Sequence, residues 1–228
     1  TDKLNGFGYK TSTVGFAIGS NFEKYEDLFF FPSLVIDHED LETTSIASAE
    51  LKKQQGTYFV TKFNHTLDFD KRNQKYQTTS GFRSRFSQQI PLISENYEFF
   101  NAYQYEKFRE LSSNMVGAMS FTAKTINSLS DDDVRISKRL YIPQSKLRGF
   151  EPGKIGPKDN ADFVGGNYLA TFNMSTTLPN LLPQNQNTDF KLFFDAATLW
   201  GVDYSDNIKD SGTVRSATGI GVDWYTPI

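Results

Sequence analysis

The chain has 228 residues, 38% hydrophobic and 15% aromatic, with 24 basic residues set against 27 acidic ones for a formal net charge of -3. Because the basic residues are dispersed, no electrostatic footprint for nucleic acid is present, and the absence of cysteine excludes disulfide scaffolds, thiolate metal sites and cysteine nucleophiles. No window approaches the roughly 18 consecutive apolar residues of a spanning helix and no basic-then-apolar leader opens the sequence, which excludes a helical membrane protein but not a β-barrel, nor an excised or mature segment.

In chain order, alternation with period 2 dominates. Val14, Phe16 and Ile18 alternate with Gly15, Ala17 and Gly19. Residues 47–55 are the one weak helical stretch. Phe59, Phe63, Leu67 and Phe69 then share a face, with Lys62 and Asn64 on the other, and a polar break follows at 70–74. Residues 74–91 read as one long extended segment in which Phe82, Phe86 and Ile90 oppose Arg83, Arg85 and Gln89. Two arginines on one face require water or carboxylates beside them. Residues 94–109 read as a second long segment, and a further polar break spans 128–133.

Next comes the most irregular part of the chain: Leu147, Arg148, Gly149, Phe150, Glu151, Pro152, Gly153, Lys154, Ile155, Gly156 and Pro157, followed by Gly165 and Gly166. Neither strand nor helix accommodates that density of glycine and proline, so the segment reads as a shaped loop. Alternation resumes beyond it. Tyr168, Ala170, Phe172 and Met174 alternate with Thr171, Asn173 and Ser175, and Phe190, Leu192, Phe194 and Ala196 with Lys191, Phe193, Asp195 and Ala197. Breaks at 180–188 and 201–212 precede a last run in which Ile220, Val222 and Trp224 oppose Gly219, Gly221 and Asp223.

Alternation alone serves a soluble sandwich as well as a membrane barrel. Length separates them. Soluble strands have a mode of about 5 to 6 residues, whereas roughly ten segments here suit a tilted membrane span of about 9 to 11 residues or more. The sequence therefore predicts an all-β fold, an antiparallel transmembrane β-barrel present as a partial barrel, with Tyr97, Trp200, Trp224 and Tyr225 as interfacial aromatics.

Chemistry is sparse. His38 and His65 share no metal-ligand spacing, Asp131, Asp132 and Asp133 lack the alternation and turn glycine of a calcium loop, and no nucleophile elbow or phosphate-binding loop is present. Gly6 with Gly8, or Gly219 with Gly221, is too little for a dinucleotide site, and two glycosylation sequons, at Asn64 and Asn173, fall within strands. The residues call for no metal, cofactor or catalytic group.

The stretch from Leu147 to Pro157 with Gly165 and Gly166, then Phe193, Phe194, Asp195, Ala196, Ala197, Thr198, Leu199 and Trp200, then Asp223, Trp224, Tyr225, Thr226 and Pro227, closely resembles the C-terminal barrel region of the BamA family of outer-membrane assembly factors. Residues 1–140 match it only in strand rhythm. The resemblance implies a larger barrel, preceded by periplasmic POTRA repeats and closed by a terminal strand that pairs weakly with the first. Residues 1–228 would then be a partial barrel domain without POTRA repeats, early strands or the final strand. It also implies that the loop folds back into the lumen, where Arg148 meets a wall carboxylate at Asp195, Gly149 and Gly153 pass close to the wall, Pro152 and Pro157 stiffen the turns, and Phe150 packs inside. A second acidic residue common on the preceding strand is replaced here, with Ser175 at its expected position. Implied partners are nascent outer-membrane β-barrel proteins, accessory assembly lipoproteins and the lipid bilayer of a bacterial outer membrane. Two alternatives stay open: a polypeptide-secreting transporter on the same scaffold, and a soluble ligand-binding sandwich.

Overall fold

The structure, a computed structural model, describes residues 8–113, 115–160, 162–178, 188–205, 208 and 212–224. Gly6, most of the 180–188 break, the side chain of Trp224, and Tyr225, Thr226 and Pro227 lie outside these residues.

In chain order the elements are β1 (Tyr9–Gly19), β2 (Phe22–Tyr25), β3 (Leu28–Thr43), α1 (Ala49–Lys53), β4 (Gly56–Asp70), β5 (Gly81–Ser94), β6 (Glu98–Ser112), β7 (Met115–Ser128), β8 (Lys158–Asp159), β9 (Asp162–Phe163), β10 (Tyr168–Leu178), β11 (Thr188–Trp200) and β12 (Arg215–Trp224). They form one sheet ordered β1, β3, β4, β5, β6, β7, β10, β11, β12, with β2 paired to the start of β3 in line with β1, and β8 and β9 apart from it. Every neighbour is antiparallel, the meander of a barrel wall. Among the described residues β1 and β12 are its two edges.

The strands are long; β3 runs for 16 residues and β4 for 15. One face is apolar and open. Val14, Phe16 and Ile18 on β1 are 75%, 66% and 62% exposed, and Ile220 on β12 is 68% exposed. A soluble sheet would bury such a belt, whereas a barrel wall turns it to lipid. His65 belongs to this face, with its ring 5.9 to 6.5 Å from those of Phe30, Phe63 and Phe86.

Boundaries differ from the sequence reading in three places. The expected strand over 74–91 begins at Gly81, because Asn73 folds residues 71–80 into a loop: its N–H donates to the Ser80 carbonyl and its side-chain oxygen accepts from the N–H groups of Thr79 and Ser80. That strand also continues past Pro91, which has no N–H to donate, through a bulge in which Lys62 pairs with Pro91 and Thr61 with Ile93. The expected strand over 94–109 is offset to Glu98–Ser112, its first residues forming the turn. The weak helix condenses to α1, capped by the Ser48 hydroxyl accepting from the Leu51 N–H at 3.2 Å.

The lumen face carries the charge, and it is acid-lined where arginines occur. Asp68 accepts from Arg83 at 2.8 and 2.6 Å and from Arg85 at 3.2 and 2.8 Å. Its side chain is 5% exposed, so it is satisfied by the two guanidinium groups and not by water.

The core is built inside the barrel by the connection from β7 to β10. Val134, Leu140, Ile142 and Leu147 of this connection pack on Ile126, Leu169, Ala197 and Leu199 of the wall, while Ile136 and Val164 pack with Tyr9, Leu41 and Leu51. Buried arginines fix its course. Arg135, 1% exposed, donates to Glu98 of β6 at 2.6 and 2.9 Å and to Glu39 of β3 at 3.3 Å, with its guanidinium 4.3 Å from the Tyr58 ring centre. Lys138 pairs with the same Glu39 at 2.6 Å. Arg139 pairs with Asp203 in the β11–β12 connection, and that carboxylate also accepts from the Val134 N–H at 3.0 Å and from Asn167 at 2.9 Å.

Two outcomes follow from these pairs. In the full-length protein, Asp68→Ala leaves Arg83 and Arg85 without their acceptor and should destabilise the barrel by about 2 to 3 kcal/mol, below the about 3 to 5 kcal/mol of a fully buried pair because Arg85 keeps some water. The temperature at which the folded band is lost on a semi-native gel measures it. For Asp203, burial pushes the pKa up, but Arg139, the Val134 N–H and Asn167 outweigh it and hold the carboxyl below its usual range. A depressed folded pKa gives stability that is complete above the unfolded value of about 3.9 and is lost as pH falls through the folded value. Asp203→Asn should therefore melt earlier than wild type at pH 7, with the gap closing in melts at successively lower pH below about 4.

Candidate functional site: the lumenal loop and its wall contact

A single helical turn at Gln144–Lys146 reverses the connection and aims Leu147 and Arg148 at the wall. Leu147 is buried in the lumenal core beside Leu169 and Leu199. With that anchor set, the next residue faces β11. Arg148 donates Nε–H to Asp195 Oδ2 at 2.8 Å, Nη2–H to Oδ1 at 2.8 Å and its backbone N–H to Oδ2 at 3.1 Å. This is the two-point fork that arginine offers a carboxylate and lysine cannot. The guanidinium also lies 3.5 Å from the ring centre of Phe193, two residues before Asp195 on the same face.

Asp195 has no exposure at all, while the Arg148 side chain keeps 35%. The carboxylate is completed from the neighbouring strand. Asn173 of β10 stands directly opposite Asp195 and donates one side-chain N–H to Asp195 Oδ1 at 2.8 Å. It also donates to the Lys146 carbonyl at 2.8 Å, tying the loop backbone to the wall. Ser175, expected as the second wall position, pairs instead with Phe193 and lines a small lumenal cavity of about 150 Å³ together with Arg148, Asn173 and Glu106. The neighbouring strand thus supplies an amide, two residues away from the position the sequence reading chose.

The other loop residues divide by role. Phe150 and Ile155 pack on the buried cluster, and Pro157 is buried with its carbonyl accepting from the Val164 N–H at 3.2 Å. Pro152 is exposed at the tip. The expectation that Gly149 passes close to the wall is not met: a side chain there would meet nothing within 4 Å, and the requirement is its φ of 81°. Gly153 shares that left-handed backbone, with a φ of 74°. Close approach falls to Gly156, where an added Cβ would lie 2.6 Å from the Leu199 side chain on β11.

Sequence reasoning missed Arg135, Arg139, Glu39, Glu98, Asp203 and Asn173. A signal existed: Val134, Ile136, Leu140 and Ile142 are interspersed with Arg135, Lys138 and Arg139, an apolar pattern that a solvated loop does not require. Among the described residues no group of histidine and carboxylate side chains is arranged to hold a metal ion.

The family model of the Omp85 superfamily domain matches residues 1–228. The outer membrane protein assembly factor BamA of Neorickettsia risticii (strain Illinois) is 25% identical over 99% of this chain and 31% of its own length. A SAM50-like protein of Schizosaccharomyces pombe is 26% identical over 81% of the chain and 41% of its own length. The human sorting and assembly machinery component 50 homolog is 22% identical over 72% of the chain and 36% of its own length. The crystal structure of BamA from Haemophilus ducreyi lacking POTRA domains 1–3 superposes with a TM-score of 0.85 at 22% identity, covering 96% of this chain and 49% of that one. The chain thus spans about a third of the bacterial relative and about half of the solved BamA chain. With its lipid-facing belt and lumenal loop, the wall is an outer-membrane structure, and the chain belongs to the Omp85 superfamily.

Proposed function

We propose that this chain is the barrel part of a bacterial outer-membrane assembly factor, which folds and inserts other β-barrel proteins without making or breaking a covalent bond. The observation that carries the reading is the fork between Arg148 and Asp195, which braces a lumenal loop against the wall in a family whose relatives are named as assembly factors. A braced wall confines opening to another part of the barrel. There, an edge with unpaired N–H and C=O groups templates a client strand by β-augmentation. The partners of this reading are nascent outer-membrane β-barrel proteins and the bilayer, together with accessory assembly lipoproteins on the rest of the protein.

A bacterial rather than mitochondrial membrane is favoured by the relative that matches 99% of the chain. Secretion through the lumen is the competing use of this scaffold. The buried cluster of Val134, Leu140, Ile142 and Leu147 disfavours it, since that core occupies the lumen a conduit would need.

The test is a charge-reversal cycle in the full-length protein, reconstituted in vesicles with an unfolded client barrel. Arg148→Glu opposes two carboxylates at a buried site and should slow client folding at least about tenfold, a loss of the order expected when one partner of a buried pair is removed. Adding Asp195→Arg should restore a large part of the rate. Equal rates for the single and the double variants would remove the brace from the mechanism, and wild-type rates for Arg148→Glu would remove the loop altogether.

A further inference from the structure

The outward face of β5, β6, β7, β10, β11 and β12 is nearly free of charge. Among its described residues the charged side chains are Lys107 and Arg109, both cations, neighbours on that face of β6. Both are exposed, and neither makes an ion pair among the described residues. A cation facing lipid is costly, so two together and no anion call for a reason.

The wall beside them supplies one. Arg109 stands opposite Gly117 of β7, and an open groove of about 650 Å³ runs from there past Leu111, Met119, Met174, Leu192 and Phe194. Apart from its two cations the lining is overwhelmingly apolar. An added Cβ at Gly117 would approach the Leu111 side chain to 3.0 Å, so the glycine lets Leu111 lie close against the wall at the head of the groove. Height matters too. Arg109 and Lys107 lie three and five positions before Ser112, the end of β6, which at about 3.4 Å per residue and a tilt of about 40° puts them roughly 8 and 13 Å from that rim. Both ammonium and guanidinium can reach the headgroup layer from there along their own stems.

We propose that this groove binds one anionic phospholipid, its phosphate held between Lys107 and Arg109 and an acyl chain lying over Gly117. The proposal rests on the reading of this face as membrane-exposed. Simple snorkelling accounts for a lone cation at a rim, but it accounts neither for a pair without any anion across six strands nor for a groove that starts at the pair.

The full-length protein in nanodiscs of mixed phosphatidylcholine and phosphatidylglycerol tests this by native mass spectrometry of retained lipid. Phosphatidylglycerol should be retained in preference to phosphatidylcholine. Lys107→Gln with Arg109→Gln should weaken that retention roughly 30-fold, Lys107→Arg with Arg109→Lys should keep it, and Gly117→Leu should lower retention of both lipids by filling the groove. Equal retention of the two lipids, or no change in the double glutamine variant, overturns the site. A photoreactive residue at Met174 should crosslink lipid; crosslinks to a protein strand in its place would assign the groove to another occupant and also overturn it. Quenching of Phe194→Trp by brominated acyl chains checks the premise. Without quenching the membrane reading of this face fails, whereas quenching without lipid preference sinks the lipid site alone.

Discussion

A carboxylate with no access to water must find all of its hydrogen bonds in the protein, and Asp195 finds four: three from Arg148 and one from Asn173. The wall alone offers only the amide of Asn173. The guanidinium and the backbone N–H arrive on a loop that has left the sheet at Ser128 and does not rejoin it until Tyr168. Ionised Asp195 and a docked loop therefore require each other, since a buried acceptor left unmet is far more costly than the modest net gain of meeting it.

The same rule governs the rest of the lumen. Glu39 and Glu98 are held by Arg135 and Lys138, Asp203 by Arg139, and Asp68 by Arg83 and Arg85. Alternation turns apolar side chains to lipid and leaves the polar set facing inward, while the apolar residues of the loop exclude water from much of that interior. Charges in a partly dried lumen must pair. The apolar packing and the ion pairs are thus one device, because Val134 and Ile136 flank Arg135 in the chain and are buried along with it, and that burial makes its contacts with Glu39 and Glu98 specific.

The wall was legible in the sequence because strand alternation is a local property, and a face of Phe190, Leu192, Phe194 against one of Lys191, Phe193, Asp195 needs no knowledge of neighbours. It also placed Asp195 on the inner face. Partner choice was not local. Arg135 reaches Glu98 over 37 positions and Glu39 over 96, and nothing in either neighbourhood announces the other. Asn173 and Ser175 share a face, so period alone could not choose between them; the register that sets Asn173 opposite Asp195 decides it. The start of β5 was lost for a similar reason. Residues 74–80 are compatible with an extended chain, and the side chain of Asn73 folds them into a loop instead.

These contacts distribute stiffness unevenly over the sheet. Through Arg135 the connection grips β3 and β6, and through Arg148 it grips β11, so one covalent segment spans most of the wall from the inside as a chord spans an arc. β1 lies outside that span. Its inward residues, Tyr9, Thr11, Thr13, Gly15, Ala17 and Gly19, include no charged side chain, and beyond Tyr9, which packs with the loop core, it is held chiefly by backbone pairing to β3. A load applied to the wall is resisted across the chord by side chains that cannot leave without exposing buried charge. Between β1 and β3, past Tyr9, the resistance among the described residues comes chiefly from a ladder of exchangeable backbone hydrogen bonds. On the assembly reading proposed above, strand exchange with an incoming polypeptide belongs to stretches of wall held by backbone ladders alone, since a new strand replaces each lost bond with an identical one, and not to the part bolted to its loop.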